Sequence, residues 1–300
     1  MKNYLSLIKF SHTIFAMPFA LVGFTLGLYE SKTSIDWRIL LCIVLCMIFA
    51  RSAAMAFNRY LDRDIDMKNP RTVVREIPAG IIAPSAALSF VVINSLLFIA
   101  TTWFINLLCF FLSPIALLVI LGYSYTKRFT FLCHFVLGLG LALAPLGAYL
   151  AVTGHFSVLP IMYSAVVLLW VSGFDIIYAL QDEEFDKSLN LNSVPVKMGK
   201  KGALQLSNFL HFASAIVLFL AVWMLNTPEG ISVTASGVRQ EGVVFGWIHL
   251  SGAIAFIALL FYQHTLVKVN DLSKVNLAFF TTNGIASVIY GSFFIIDYLF

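Results

Sequence analysis

Six residues in two short stretches repeat one spacing. Asn58, Asp62 and Asp66 follow one another at intervals of four, and so do Tyr178, Asp182 and Asp186. On a helix each four-residue step turns about 40° past a full circle, so each triplet shares one face over roughly two turns. Nine of the 15 acidic residues fall in these stretches: Asp62, Asp64, Asp66 and Glu76, then Asp175, Asp182, Glu183, Glu184 and Asp186. Like charges four apart on a helix cost a few tenths of a kcal/mol, on the order of 0.2–0.5, unless something neutralises them. Two clusters with that spacing therefore suggest a shared cation; solvated, salt-bridged helix ends are the alternative. Magnesium fits this donor chemistry, because it prefers oxygen, keeps several waters, and commonly uses one or two carboxylates together with substrate phosphates. Arg59, Arg63, Arg71 and Arg75 lie in the first stretch, Lys187 follows Asp186, and Lys127 and Arg128 end the fourth apolar run on the same side. Carboxylates for a metal, with guanidinium and ammonium groups for phosphate oxygens, make a metal–diphosphate site. Each base taken singly also reads as the usual positive excess of cytoplasmic loops.

The elements that must position these residues are membrane helices. The 300-residue chain is 60% hydrophobic and 11% charged, with a mean hydropathy of +0.91, against roughly 25% charge in a soluble domain. Nine apolar runs are long enough to cross a bilayer: 13–29, 38–57, 84–103, 106–125, 132–153, 158–181, 203–226, 243–262 and 277–298. Their length and continuity argue for helices rather than a barrel. The expected fold is therefore all-α, a polytopic integral membrane protein that forms one membrane domain over 1–300. No cleavable leader is expected. Gly23 and Gly27, at GxxxG spacing in the first run, suit close helix packing. Cys42, Cys46, Cys109 and Cys133 all sit in apolar runs and read as packing residues without a disulfide.

With the N-terminus in the cytoplasm, fifteen Lys and Arg residues fall in inner loops or termini and three (Lys32, Arg38 and Arg239) in outer ones, a strong positive-inside bias. The net charge of +4 is thus a matter of topology, and nothing reads as a nucleic-acid surface. Both acidic stretches fall in the long inner connections 58–83 and 182–202, whereas the only long outer connection is 227–242. The two inner connections also resemble each other. Asp62 and Asp66 precede Pro78 and Gly80, and Asp182 and Asp186 precede Pro195 and Gly199. The pattern hints at two helical halves that each supply one acidic cluster.

These residues resemble a known family. NRYLDRDID (Asn58 to Asp66) is similar to the first signature of the UbiA superfamily of intramembrane aromatic prenyltransferases, and GFDIIYALQDEEFD (Gly173 to Asp186) to the second. KFSHTIFAMPFAL, RSAAMAFNR, NPRTVVREIPAG and GYSYTKRFT extend the resemblance over nearly the whole chain. It is greatest to the bacterial branch of 4-hydroxybenzoate polyprenyltransferase-like enzymes. That branch also includes enzymes that prenylate 1,4-dihydroxy-6-naphthoate in the futalosine route to menaquinone. The resemblance implies nine transmembrane helices around a central cavity, magnesium-bound diphosphate at the cytoplasmic mouth, and a lateral opening to lipid for the prenyl tail. It implies metal ligation by Asn58, Asp62, Asp66, Asp182 and Asp186. It implies diphosphate contacts from Arg71, Arg75, Tyr123, Lys127 and Tyr178, and an acceptor contact from Arg51. Arg59 stands where the family's first signature often has Asp; the other ligands are in place. The substrates implied are a polyprenyl diphosphate and an aromatic carboxylic acid, and the location a bacterial inner membrane with the active-site loops cytoplasmic.

Arg51 and Asp175 also stand out on their own, because each lies inside an apolar run. An ionised group there costs about 2.5–3.5 kcal/mol on insertion scales and usually faces a cavity with a partner. Arg51 reads as a clamp on the acceptor carboxylate or as one half of a structural pair with Asp175. The proton released by the ring would go to Asp175 or to the departing diphosphate. The six histidines show no metal-ligand spacing and read as packing or interfacial residues. A transporter is the main rival reading, but its site would lie near the midplane with broken helices. A scaffold would not need two clusters with metal spacing. A head-group transferase of the CDP-alcohol type would carry a DG…AR…G…D…D arrangement, which is missing.

Overall fold

Lipid offers backbone N–H and C=O groups no partner, so they must satisfy one another, and the chain does this with helices. The computed structural model describes residues 2–7, 15–226 and 246–300. In order, the helices are α1 (Lys2–Leu7), α2 (Met17–Ser31), α3 (Trp37–Leu61), α4 (Arg63–Asp66), α5 (Pro84–Trp103), α6 (Leu107–Thr126), α7 (Cys133–Thr153) and α8 (Val158–Ala179). A 3-10 turn (Leu180–Asp182) leads into α9 (Glu183–Ser188), followed by α10 (Val194–Asn226), α11 (Trp247–Leu266), a π-helical turn (Leu277–Thr282) and α12 (Asn283–Leu299). Among the described residues the only β pairing is an isolated bridge between Lys268 and Asp271.

Local sequence explains several boundaries. Asp36 caps α3 by accepting from the N–H groups of Arg38 and Ile39 at 2.8 and 3.3 Å, as a short acidic N-cap should. Pro84 opens α5 after an extended Ala83, where a missing N–H costs nothing. Asn106 caps α6 through Cys109 N–H, and its own amide reaches Leu150 O at 2.8 Å. One side chain thus starts one helix and ties it to the end of another.

Eight of these helices are long and apolar enough to cross a bilayer. Nine were expected; α2, with 15 residues, is not among the eight, and it packs against α7 and α12 in the same bundle. Large apolar side chains such as Phe111, Leu118, Phe209 and Phe219 face outward, which suits hydrocarbon and not water. The protein is a multi-pass membrane protein. Expected and observed spans agree closely, and 84–103 agrees to the residue. Residues 13–14 and 243–245 of two expected spans lie outside the described residues, as do the connection 227–242, Lys9 and Arg239. The main difference is α10, which begins at Val194 rather than 203. Its first turn is continuous with the rest only across a kink at Gly199 (φ 68°, ψ 169°), a conformation open essentially to glycine alone. Gly80 in the first connection has φ 71°. The two connections therefore share a backbone device as well as a sequence pattern.

Gly23 packs directly against the backbone of α7. A Cβ there would lie 1.9 Å from the carbonyl oxygen of Pro145 on α7. Backbone against backbone cannot yield as a side-chain tip can. Gly23→Ala should force α2 and α7 apart and cost about 1–3 kcal/mol or more of stability, as overpacked cores do. Thermal unfolding in detergent reads this directly; an unchanged midpoint would contradict the packing.

Candidate active site

The acidic motifs come together at one end of the bundle, but not on unbroken helices. Asp62 ends α3 with φ −89° and ψ 3°, and Asp182 precedes α9 with φ −103° and ψ 1°. The expectation that each triplet rides one continuous helix is corrected here. In both motifs the helix stops at the middle aspartate and restarts as a short helix, α4 or α9. The backbone sits in the bridge region at the same place in each half. Across the break in the first motif the backbone bonds Asp62 N–H to Asn58 O at 2.9 Å and Asp66 N–H to Asp62 O at 2.7 Å still form.

Of the four aspartates at the motif spacing, three are each held by a base. Asp62 is buried; its Oδ2 accepts from Lys127 Nζ at 2.6 Å and Asn58 Nδ2 at 3.2 Å, and its Oδ1 from Arg128 Nη2 at 3.0 Å. Asp66 is buried, and Arg75 Nη1 donates to both its oxygens at 2.7 and 2.8 Å. Asp182 pairs with Arg71 through Nη2, and through Nε at 3.2 Å, while Arg71 Nη1 donates to the Tyr178 hydroxyl at 2.7 Å. Arg71 in the first connection thus grips the second motif and joins the two halves. Burial alone would lower its pKa, but the Asp182 carboxylate and Tyr178 outweigh that and hold it above the ordinary guanidinium value. The Asp186 side chain makes no hydrogen bond or ion pair among the described residues. Arg63 and Lys187 turn away from the site, to Tyr60 O and to Glu183.

Two groups here were not singled out by spacing. Asn69 Nδ2 lies 3.5 Å from Asp182, and Asn69 Oδ1 accepts from Arg71 N–H. Arg128 also ties Asp62 to Leu61 O and Ser124 O. Only the folded loops reveal these roles, because no regular spacing links these residues to their partners.

Beside this end lies a cavity of about 360 Å³ between α3, α5, α6 and α7. Arg51 and Tyr123 are its strongly polar lining groups; Leu141, Ala144, Phe98 and Ile105 are typical of the rest. Its Thr102 and Ser113 hydroxyls donate to carbonyls of their own helices at 2.7 Å, so they offer little to a ligand. Tyr123, expected at the diphosphate, lines this cavity within electrostatic reach of Asp62, Arg51 and Arg59. Arg51 Nε and Arg59 Nε are buried without a hydrogen-bond partner, and neither guanidinium has a carboxylate partner among the described residues. The suggested Arg51–Asp175 pair does not form. Asp175 Oδ2 bonds His134 Nδ1 at 2.7 Å instead. Arg51 lies on α3 and Asp175 on α8, and α8 presents Asp175 to α7, the helix it packs against most extensively.

An aromatic cluster flanks the Arg71–Asp182 pair. The π-helical turn sets Phe279 and Phe280 side by side. Tyr178 stacks on Phe279 at 4.1 Å between centroids and meets Phe280 edge-on at 5.8 Å. Phe174 packs on Phe279 at 5.2 Å, and Arg71 lies 5.2 Å over the Tyr178 ring. Wide turns of this kind recur at functional sites.

The residues fit magnesium with a diphosphate better than magnesium alone. Among the described residues no three acidic, histidine or cysteine groups converge into a cage. Mg²⁺ bound through one or two carboxylates and completed by phosphate oxygens needs no such cage. The bases on Asp62, Asp66 and Asp182 are guanidinium and ammonium groups, the type that pairs with phosphate oxygens.

Residues 16–285 match the UbiA prenyltransferase family. The 4-hydroxybenzoate octaprenyltransferase of Aliivibrio fischeri strain MJ11 is 30% identical over 263 residues, which covers 85% of this chain and 82% of that protein. The mitochondrial 4-hydroxybenzoate polyprenyltransferase of Arabidopsis thaliana is 32% identical over 203 residues, 67% of this chain and 48% of its own length. The apo structure of a UbiA homolog from Aeropyrum pernix K1 superposes with a TM-score of 0.80 at 29% identity, covering 95% of this chain and 98% of that one. A UbiA homolog from Archaeoglobus fulgidus bound to GPP and Mg2+ shares the fold at 22% identity and a TM-score of 0.74, covering 99% of this chain and 100% of that one.

Proposed function

Because this chain belongs to the UbiA prenyltransferase family, we propose that it transfers a polyprenyl group from a polyprenyl diphosphate to 4-hydroxybenzoate, with magnesium, at a site facing the cytoplasm of a bacterial inner membrane. The observation that carries this reading is the meeting of two features. A charged end holds Asp62, Asp66 and Asp182 in the grip of Lys127, Arg128, Arg75 and Arg71. An apolar cavity beside it presents Arg51, whose Nε has no hydrogen-bond partner among the described residues. The first suits a metal–diphosphate and the second suits an acid on an apolar body. The magnesium ligands proposed are Asn58, Asp62, Asp66, Asp182 and Asp186, supported by their oxygen chemistry and by the metal bound in the Archaeoglobus fulgidus homolog. The positive-inside bias of the loops supports the orientation.

When bound, magnesium neutralises charge that grows on the diphosphate as its bond to the allylic carbon breaks. Arg71, Arg75 and Lys127 bind the phosphate oxygens and hold the leaving group in place. Phe174, Tyr178, Phe279 and Phe280 exclude water and face the allylic cation with π-electrons. Arg51 orients the acceptor by its carboxylate, so that the ring carbon beside the hydroxyl meets the cation. That carbon then gives up its proton to Asp175 or to the departing diphosphate.

A transfer assay tests the reading. Purified protein in detergent, with magnesium and a farnesyl donor, is given 4-hydroxybenzoate and 1,4-dihydroxy-6-naphthoate separately. A prenylated 4-hydroxybenzoate, lost with a chelator and restored by magnesium, is the expected result. Product from the naphthoate alone would keep the chemistry and change the acceptor. No product from either acid would overturn the acceptor class.

A further inference from the structure

The two fates left open for the ring proton are separated by a histidine that sequence spacing passed over. His134 lies one residue into α7 and is buried, with 3% of its surface exposed. Its Nδ1 lies 2.7 Å from Asp175 Oδ2, and the backbone N–H of Val194 points at its Nε2 from 3.3 Å. That N–H needs a lone pair, so Nε2 is the acceptor and the ring proton sits on Nδ1. His134 therefore donates to Asp175. Oδ1 of Asp175 is left without a protein partner among the described residues.

Asp175 lies on the stripe of α8 that runs to the charged end. On α8, residues 170–174 and 176–177 are buried against other helices, whereas Asp175 and Tyr178 are only partly covered. Asp175, Tyr178 and Asp182 are spaced three and four apart, so they follow one stripe of the helix up to its end. Asp175 thus lies one turn deeper in the bundle than Tyr178, which holds Arg71.

We infer that His134 is a positioning residue that fixes the Asp175 carboxylate through its 2.7 Å hydrogen bond, and that Asp175 takes the proton from the prenylated ring carbon. The inference rests on the prenyl-transfer reading. As the new bond forms between the ring carbon and the allylic carbon, the bond from that carbon to diphosphate breaks. The ring C–H bond then breaks, its electron pair restores aromaticity, and its proton passes to Asp175 Oδ1. His134 keeps its own proton throughout.

His134 also accepts from an N–H at the start of α10, where helical N–H groups have no helical partner, so loss of the ring weakens the fold as well. Two variants separate the roles. His134→Leu removes both bonds. His134→Asn places an amide N–H near the position of Nδ1 and so restores the donor to Asp175, but not the acceptor for Val194. The readout is the rate with the preferred acceptor deuterated at the ring carbons beside its hydroxyl, together with the melting temperature. The wild type should show no isotope effect, because loss of the ring proton is fast. His134→Leu should lose about 100-fold in kcat, the lower end of a general base's contribution, with donor KM unchanged, and should acquire a primary isotope effect. His134→Asn should recover most of the rate and lose the isotope effect while melting as low as His134→Leu. A rate that merely follows melting temperature, with no isotope effect in either variant, would overturn the inference. If His134→Leu does not fold, the comparison of His134→Asn with Asp175→Asn decides by the same isotope effect. A wild type that prenylates neither acid would sink the prenyl-transfer reading itself, and this inference with it.

Discussion

Asp62→Asn should lower kcat by about 10³-fold, at or beyond the loss seen when one preorganised charge-stabilising group is removed. Asp62 is the most heavily engaged group of the site: Lys127, Arg128 and Asn58 all converge on it, and it is buried. In the proposed reaction it trades these bases for the metal, and the bases turn to the phosphates. Asparagine keeps the shape and one acceptor oxygen but not the charge that binds metal. Alanine would give a less clear result, because it strands two part-buried cations and costs stability as well. Binding can be measured apart from turnover. Magnesium with a non-reactive diphosphate should raise the melting temperature of the wild type, as any ligand specific to the folded state does, and should leave Asp62→Asn unmoved. Near-normal turnover in Asp62→Asn would remove Asp62 from the metal set. Asp182→Asn should behave alike, since Asp182 occupies the matching break in the second motif.

Arg51→Leu should raise the acceptor KM by roughly 10- to 150-fold, the equivalent of about 1.5–3 kcal/mol for a charge-assisted hydrogen bond. The same variant should melt higher than the wild type. Arg51 Nε is buried with no partner, and the cavity wall around it is largely apolar. Holding an unpaired cation in such a place costs free energy that a leucine of similar bulk does not. A residue kept at a stability cost and used only when substrate arrives is the pattern of a binding group. Arg51→Leu with a lower melting temperature would point to a structural partner, and an unchanged KM would free the acceptor from Arg51. Donor KM should not change, because the groups proposed for the diphosphate are carried by other residues at the charged end.

Much of this protein was legible from its sequence, because lipid leaves little choice. A run such as 84–103 must form a helix, since its backbone has no other partner, and Pro84 and Trp103 bound it as expected. The two acidic motifs were equally legible: the type and spacing of Asn58, Asp62, Asp66, Asp182 and Asp186 report donor chemistry before any fold is known. The sequence also marked Arg51 and Asp175 as costly, because charge inside an apolar run is costly in any arrangement. It did not reveal which group each would meet. Spacing fixes the face of a helix on which a side chain lies, but not which helix packs against that face. Only the bundle decided that α8 lies on α7, so that Asp175 meets His134, and that α3 turns Arg51 into an apolar cavity. The breaks at Asp62 and Asp182 were hidden for a related reason. A four-residue spacing reads as one continuous helix, whereas the backbone leaves helical dihedrals at Asp62 and Asp182, where the chain turns into its connections. Local chemistry determined the parts and their donor sets; tertiary packing decided the partners, because partners come from segments far apart in the chain.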